Sequence, residues 1–248
     1  MTPRQTHRQT YRQPRRQRGA VLLLLVAVLG LGAASLLISA FGRKSGEAER
    51  QQRTLATLAQ AREALLGFAA TKGRLPRPAA SALDGRERAA DCADDAECSG
   101  FLPWVALGVD GSDAWGKLLR YSVTPEMART PIVSFSAIAN RVVLERDGRG
   151  DFFYVAGQEQ CDVSAQCLPV VLFSQGKDHY GTAVSGVRQR NTVRGNLDEA
   201  ANDSASRSFI ARPASDNATL PGGTFDDILT WITLPTLYQR MRAARNLP

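Results

Sequence analysis

The four cysteines are the residues whose type and spacing most directly imply chemistry. Cys92 and Cys98 lie in CADDAEC, Cys161 and Cys167 in CDVSAQC, and each pair encloses five residues. Four thiols can hold a zinc ion. Zinc sites, however, favour two to four intervening residues and often recruit histidine. The two histidines, His7 and His179, lie near neither pair. The rival chemistry is disulfide formation, which requires an oxidising compartment. Four cysteines allow three connectivities, and only the local spacing favours Cys92–Cys98 with Cys161–Cys167.

The remaining reactive side chains are sparse. Asp226-Asp227 could bind calcium with the help of loop carbonyls. The other reading is that one Asp of an alternating strand faces solvent while its neighbour caps a turn. No other cofactor is expected. His179 has no Cys and no catalytic Ser motif beside it, and no GxSxG, HExxH, P-loop or dinucleotide fingerprint occurs. Arg149-Gly150-Asp151 spells an adhesion tripeptide, but its composition is that of a charged hairpin turn. The chemistry points away from an enzyme.

The elements that position these residues start from one apolar stretch. Residues 20–41, AVLLLLVAVLGLGAASLLISAF, carry no charge and two hydroxyls, Ser35 and Ser39. At about 1.5 Å per residue such a helix spans ~33 Å, enough for a membrane's hydrocarbon core. Residues 1–19 before it hold six Arg and no acid. The positive-inside rule then leaves that arm in the cytoplasm and all that follows Phe41 on the far side. Taking those six Arg from the 31 basic residues leaves 25 against 24 acids, so the overall charge of +7 falls to +1 beyond the arm. The basicity is a topology signal, and no nucleic-acid partner is expected. Three readings fit the junction: an uncleaved anchor, a secretory signal peptide cut near Gly32/Ala34, or a prepilin leader whose helix is retained.

Residues 42–73 are expected to extend the helix. Leu55, Leu58, Ala59, Leu65, Leu66 and Ala69 fall on one face at helical spacing, with Arg62 interrupting the stripe. Gly73 is a C-terminal cap signal, and Pro76 and Pro78 stop the helix. Residues 74–248 form the soluble part. Residues 74–100 read as a polar surface loop stapled by the first cysteine pair. Strands are expected at residues 117–123, at 132–144 with a break at Ala139-Asn140, at 152–156, at 168–173 and at 225–232. Asp147–Asp151 is the turn of a hairpin. Residues 174–224 are expected to be a long irregular excursion. Thr233 is a candidate cap for a terminal helix with Leu234, Leu237, Met241 and Ala244 as its apolar stripe. The fold class is α+β: a long N-terminal helix packed on an antiparallel sheet of about four strands, with large loops and a short C-terminal helix.

This layout resembles the type IV pilins and the pseudopilins of type II secretion. Arg18-Gly19-Ala20 matches their leader junction, and AREALLGFAATKGRLP (residues 61–76) their helix extension. Asp113-Ala114-Trp115-Gly116 is similar to the DPWG-type turn of major pseudopilins, with Ala114 in place of Pro. Phe173-Ser174-Gln175-Gly176-Lys177-Asp178 is similar to their SxGxDG-type loop, without its second Gly. The resemblance implies a filament subunit of the inner membrane, single-pass, with a periplasmic domain. It implies cleavage by prepilin peptidase between Gly19 and Ala20, N-methylation of Ala20, and assembly with other pilin or pseudopilin subunits. Gly30, Gly32, Ala33 and Ala34 would let helices approach closely. Leu24 stands where the family usually has Glu, and Ala20 where it usually has Phe or Met. These departures imply a minor or tip subunit. The alternative from another class is an uncleaved, membrane-anchored periplasmic binding module.

Overall fold

The computed structural model describes residues 18–163 and 167–247, and the side chains of helix residues 22–32 and of residue 46 onward. The basic arm up to residue 17, the side chain of Ala20 and those of residues 33–41 lie outside the described residues. Two compact units are present, Met1–Ala48 and Glu49–Pro248. Among the described residues no helix is long and apolar enough to cross a membrane. In the first unit the described apolar side chains of helix α1 (Arg18–Lys72) point outward, with Leu24 67% exposed.

The second unit is α+β. After α1 the order is β1 (Ser99–Phe101), α2 (Trp104–Leu107), β2 (Arg120–Val123), α3 (Pro125–Arg129), β3 (Val142–Arg146) and β4 (Phe152–Ala156). Then come β5 (Val170–Ser174), α4 (Leu197–Ser204), β6 (Ser208–Ile210), β7 (Ile228–Ile232) and α5 (Leu234–Ala243). β1-β2-β5-β7 make an antiparallel sheet of four strands. A second sheet, β4-β3-β6, was not expected, and its β3–β6 pair is parallel.

Period-two alternation splits the side chains of the four-stranded sheet between two cores. Tyr121 and Val123 of β2 and Val170 and Leu172 of β5 face Leu58, Ala61, Leu65, Leu66 and Ala69 of α1. Leu234, Leu237 and Met241 of α5 close the same core. Val171 and Phe173 point the other way, onto Val143 of β3 and Phe209 of β6. The Phe173 and Phe209 rings meet at a tilt, their centroids 5.6 Å apart. Each such buried side chain contributes about 1.5–3 kcal/mol.

The buried helix stripe is rotated from the expected one. Thr54, Leu58, Ala61, Leu65 and Ala69 are buried, whereas Leu55 and Ala59 are exposed. Gly73 ends α1 with φ +71 and returns its N–H to the Ala69 carbonyl at 2.9 Å, as its position before Pro76 requires. Thr233 caps α5, accepting the Thr236 N–H, although Ala244 is exposed rather than part of the stripe.

Other expectations are corrected. The third strand is only Val142–Arg146; residues 132–140 are irregular, and Arg141 makes a single antiparallel bridge to Leu168. Arg141 is fully buried and donates to Ser122 Oγ at 2.7 Å, to Asp95 Oδ1 at 2.6 Å and to the Val123 carbonyl. A buried guanidinium needs acceptors on several sides, and these groups supply them. The excursion at 174–224 contains α4 and β6. The 74–100 loop is less superficial than its composition suggests: Leu75, Ala79, Cys92 and Cys98 are buried, and Arg74 and Arg77 share Glu87.

Candidate functional site

The two segments that resemble pseudopilin motifs meet in the fold. Asp113 opens the turn before β2. Its Oδ1 accepts the N–H groups of Trp115 and Lys117, both at 2.9 Å. Its Oδ2 accepts the hydroxyl of Ser174, the last residue of β5, at 2.6 Å. Ser174 Oγ in turn receives the Gly176 N–H at 3.1 Å. The next residue of the turn, Ala114, donates its N–H to Thr54 Oγ1 of α1 at 3.1 Å. Helix and turn are thus joined by one hydrogen bond, and turn and loop by another.

Lys117 holds the loop from inside. Its ammonium donates to the carbonyls of Gln175, Asp178 and Tyr180 at 3.2, 2.8 and 2.6 Å. Burial lowers the Lys117 pKa, and Asp226 pulls it back up. Asp226 Oδ2 accepts the N–H groups of Lys177 and Asp178 at 2.9 and 2.8 Å. Gly176 has φ +56, and a Cβ there would meet Asp226 Oδ1 at 2.2 Å, so this close approach requires glycine.

Of the candidate calcium pair, Asp226 takes the turn-capping place of the second reading, while Asp227 is buried rather than facing solvent. Neither Asp lies in β7, which begins at Ile228. Asp226 caps the 177–178 turn. Asp227 is buried and accepts the Asn202 amide at 2.8 Å, while Asn202 also bonds the backbone of Ile210. Burial raises the Asp227 carboxyl well above its usual value of 3.8 and also raises Asp226 and Asp113. Three carbonyls beside carboxylates are the oxygen ligand chemistry of a hard cation. Here the Lys117 ammonium supplies the positive charge. Among the described residues no group of three or more His, Cys, Asp or Glu could hold a metal.

His179 lies in the same loop with φ +56, its Nε2 3.4 Å from Thr224 Oγ1. Cys92 is joined to Cys98 and Cys161 to Cys167. The first disulfide is buried, and Arg129 of α3 grips its loop through the Cys92 and Ala93 carbonyls. The junction residues Gly19 and Ala20 fall inside α1.

Sequence reasoning missed Lys117, Thr54 and Asn202, and it marked Ser174 only as part of a motif. A signal existed for Lys117: it is a lone charge between a turn and an apolar strand. None existed for Thr54, whose hydroxyl is indistinguishable from that of any helical Thr. A further groove of about 420 Å³ lies along β7, between Leu55, Leu58, Ala59 and Arg62 of α1 and Leu229–Trp231. It accounts for the exposure of Leu55 and Ala59. Arg62 Nε donates to the Trp231 carbonyl there at 3.1 Å.

Set against protein-family models, curated proteins and solved structures, the chain matches none of the three.

Proposed function

We propose that this chain is a minor structural subunit of a type IV pilus or a type II secretion pseudopilus. It is made as a precursor with a cytoplasmic basic arm, an inner-membrane helix and a periplasmic domain. Prepilin peptidase removes residues 1–19, and Ala20 becomes the methylated N-terminus. The helix then leaves the lipid to bundle with those of other subunits. The observation that carries the reading is the contact of Asp113 with Ser174, reinforced by Lys117 and tied to Thr54 of α1. Two motif segments some sixty residues apart, each weak alone, build one knot at the helix.

Leu24 narrows the role. A carboxylate at this depth costs on the order of 2.5–3.5 kcal/mol, and in the resembling family the Glu is offset by the amine of a subunit already in the filament. Leu24 offers no such handle. The free amine of Ala20 can still receive a Glu from the subunit below. A chain that accepts docking but cannot dock upward belongs at the tip or at initiation.

Mass spectrometry of the N-terminal peptide of membrane-extracted protein tests the class. The expected result is a start at methylated Ala20. An intact Met1 would favour the membrane-anchored binding module, and a start near Ser35 would indicate a signal peptide. The tip role is tested by counting subunits in sheared filaments. An abundance equal to the major subunit would remove it.

A further inference from the structure

Two asparagines open the tripeptide Asn-X-Ser/Thr with no proline at its centre, the acceptor pattern for N-linked glycans: Asn202-Asp203-Ser204 and Asn217-Ala218-Thr219. So short a pattern recurs by chance, and the fold separates the two. Asn202 lies in α4 and is fully buried. Its amide donates to the Ile210 carbonyl and to Asp227 Oδ2, both at 2.8 Å, and its Oδ1 accepts the Ile210 N–H at 2.7 Å. A glycan there would displace all three bonds, so the folded chain cannot carry one. Asn217 instead stands on a loop whose residues 216–221 are exposed without a break. Reciprocal backbone hydrogen bonds between Ser215 and the buried Phe225, at 2.8 and 2.9 Å, close the loop at its base.

The tip of that loop is shaped around its asparagine. Asn217 Oδ1 accepts the Thr219 N–H at 3.0 Å and the Thr219 hydroxyl at 2.7 Å. The Asn217 carbonyl accepts the Leu220 N–H at 3.3 Å. The residue that the pattern specifies two places on thus occupies the carboxamide oxygen, while Nδ2 has no acceptor among the described residues. Two donors on that oxygen favour the amide once Nδ2 gives up a proton, because they bond the more negative form. We infer that Asn217 is an N-glycosylation site that takes an oligosaccharide from a polyprenyl diphosphate donor. Nδ2 forms a bond to C1 of the first sugar, the C1–O bond to the diphosphate breaks, and polyprenyl diphosphate leaves with the electron pair. The Nδ2 proton passes to a base of the transferase and then to solvent. The inference rests on the far-side topology proposed above, where the two disulfides belong, and not on filament membership.

The test takes the full chain from its native host and maps its peptides by mass without reduction. The peptide holding Asn217 should carry an added glycan and the peptide holding Asn202 none. An amidase that releases N-glycans should remove the addition and convert the asparagine to an aspartate. Asn217→Gln and Thr219→Ala should each lose the glycan, and Thr219→Ser should keep it. Both Thr219 variants should melt together with the glycan enzymatically removed, since Thr219 is exposed, so loss in one of them alone cannot come from misfolding. An unmodified Asn217 beside formed disulfides would overturn the site and leave the topology standing. An unmodified Asn217 beside free thiols would overturn both. A sugar that survives Asn217→Gln sits on a hydroxyl, and a glycan on Asn202 would show that the fold does not make the choice; either overturns the assignment.

Discussion

β4 and β5 are both five residues long, and each holds four large apolar side chains: FFYVA against VVLFS. All five residues of β5 are buried, while four of β4 are exposed. Nothing within the strands accounts for this. β5 sits between β2 and β7 and has a helix on one face and the second sheet on the other. β4 lies at the rim of that second sheet with one strand neighbour among the described residues, and only the Arg146 guanidinium is recorded over an aromatic ring of the strand, that of Phe152 at 3.9 Å. A strand's apolar content states what it can bury, and its place in the layers decides what it does bury. What β4 leaves uncovered is then available to a partner.

The largest expected effect separates the two strands directly. Phe173→Ala should cost about 3–5 kcal/mol, because Val143 and Phe209 cannot collapse onto the space it leaves. Phe153→Ala should cost less than about 1 kcal/mol. Urea unfolding of both variants measures the contrast, and equal losses would break it.

Buried and exposed charge should differ in the same way. Lys117→Met leaves three carbonyls without their donor and should cost about 1–3 kcal/mol, with faster proteolysis of residues 175–183. Arg149→Met, on the β4 hairpin, should stay within ~0.5 kcal/mol. An unchanged cleavage rate in Lys117→Met would show that the loop holds without its ammonium.

The disulfides sharpen the comparison less. Each closes a seven-residue loop, worth roughly 2 kcal/mol on chain-entropy grounds. Cys92, Cys98 and Cys167 are all buried in the helix-side core and only Cys161 is partly exposed, so the Cys92–Cys98 double Ala variant should lose somewhat more than that of Cys161–Cys167. A larger loss from the second pair would reverse the assignment of the first as the structural one.

The smallest effect is in the pH profile. Burial raises the Asp227 pKa, so the folded chain keeps this proton to higher pH than the unfolded chain does. Its contribution to stability therefore falls as pH rises from the ordinary carboxylate range through the folded value. Asp227→Asn should flatten that fall. Asp147 behaves oppositely: the N–H groups of Arg149 and Asp151 lower its pKa, so its contribution is lost as pH drops below the usual carboxylate range. Denaturation midpoints of the two Asn variants across pH separate these signs, and identical slopes would contradict them.

The α+β class, the end of α1 at Gly73, the hairpin at Asp147–Asp151 and the capped terminal helix were all readable from the chain, since each depends on neighbours a few residues away. So were the cysteine pairs, whose partners are six residues apart. The second sheet was not. β6 is three residues long, and its parallel pairing with β3 joins segments more than sixty residues apart. No local pattern encodes such a contact.

The sequence by itself determined the apolar helix, the sign of the arm before it and the candidate junction at Gly19-Ala20, because hydropathy and charge are properties of a run of residues. Tertiary structure alone decided which side of α1 is buried, that Leu55 and Ala59 are left out, and that Lys117 joins Asp226 in organising the loop. It also decided that β5 is covered and β4 is not. Burial and charge compensation are set by what the folded chain brings alongside a residue, and for these residues the neighbours come from other elements.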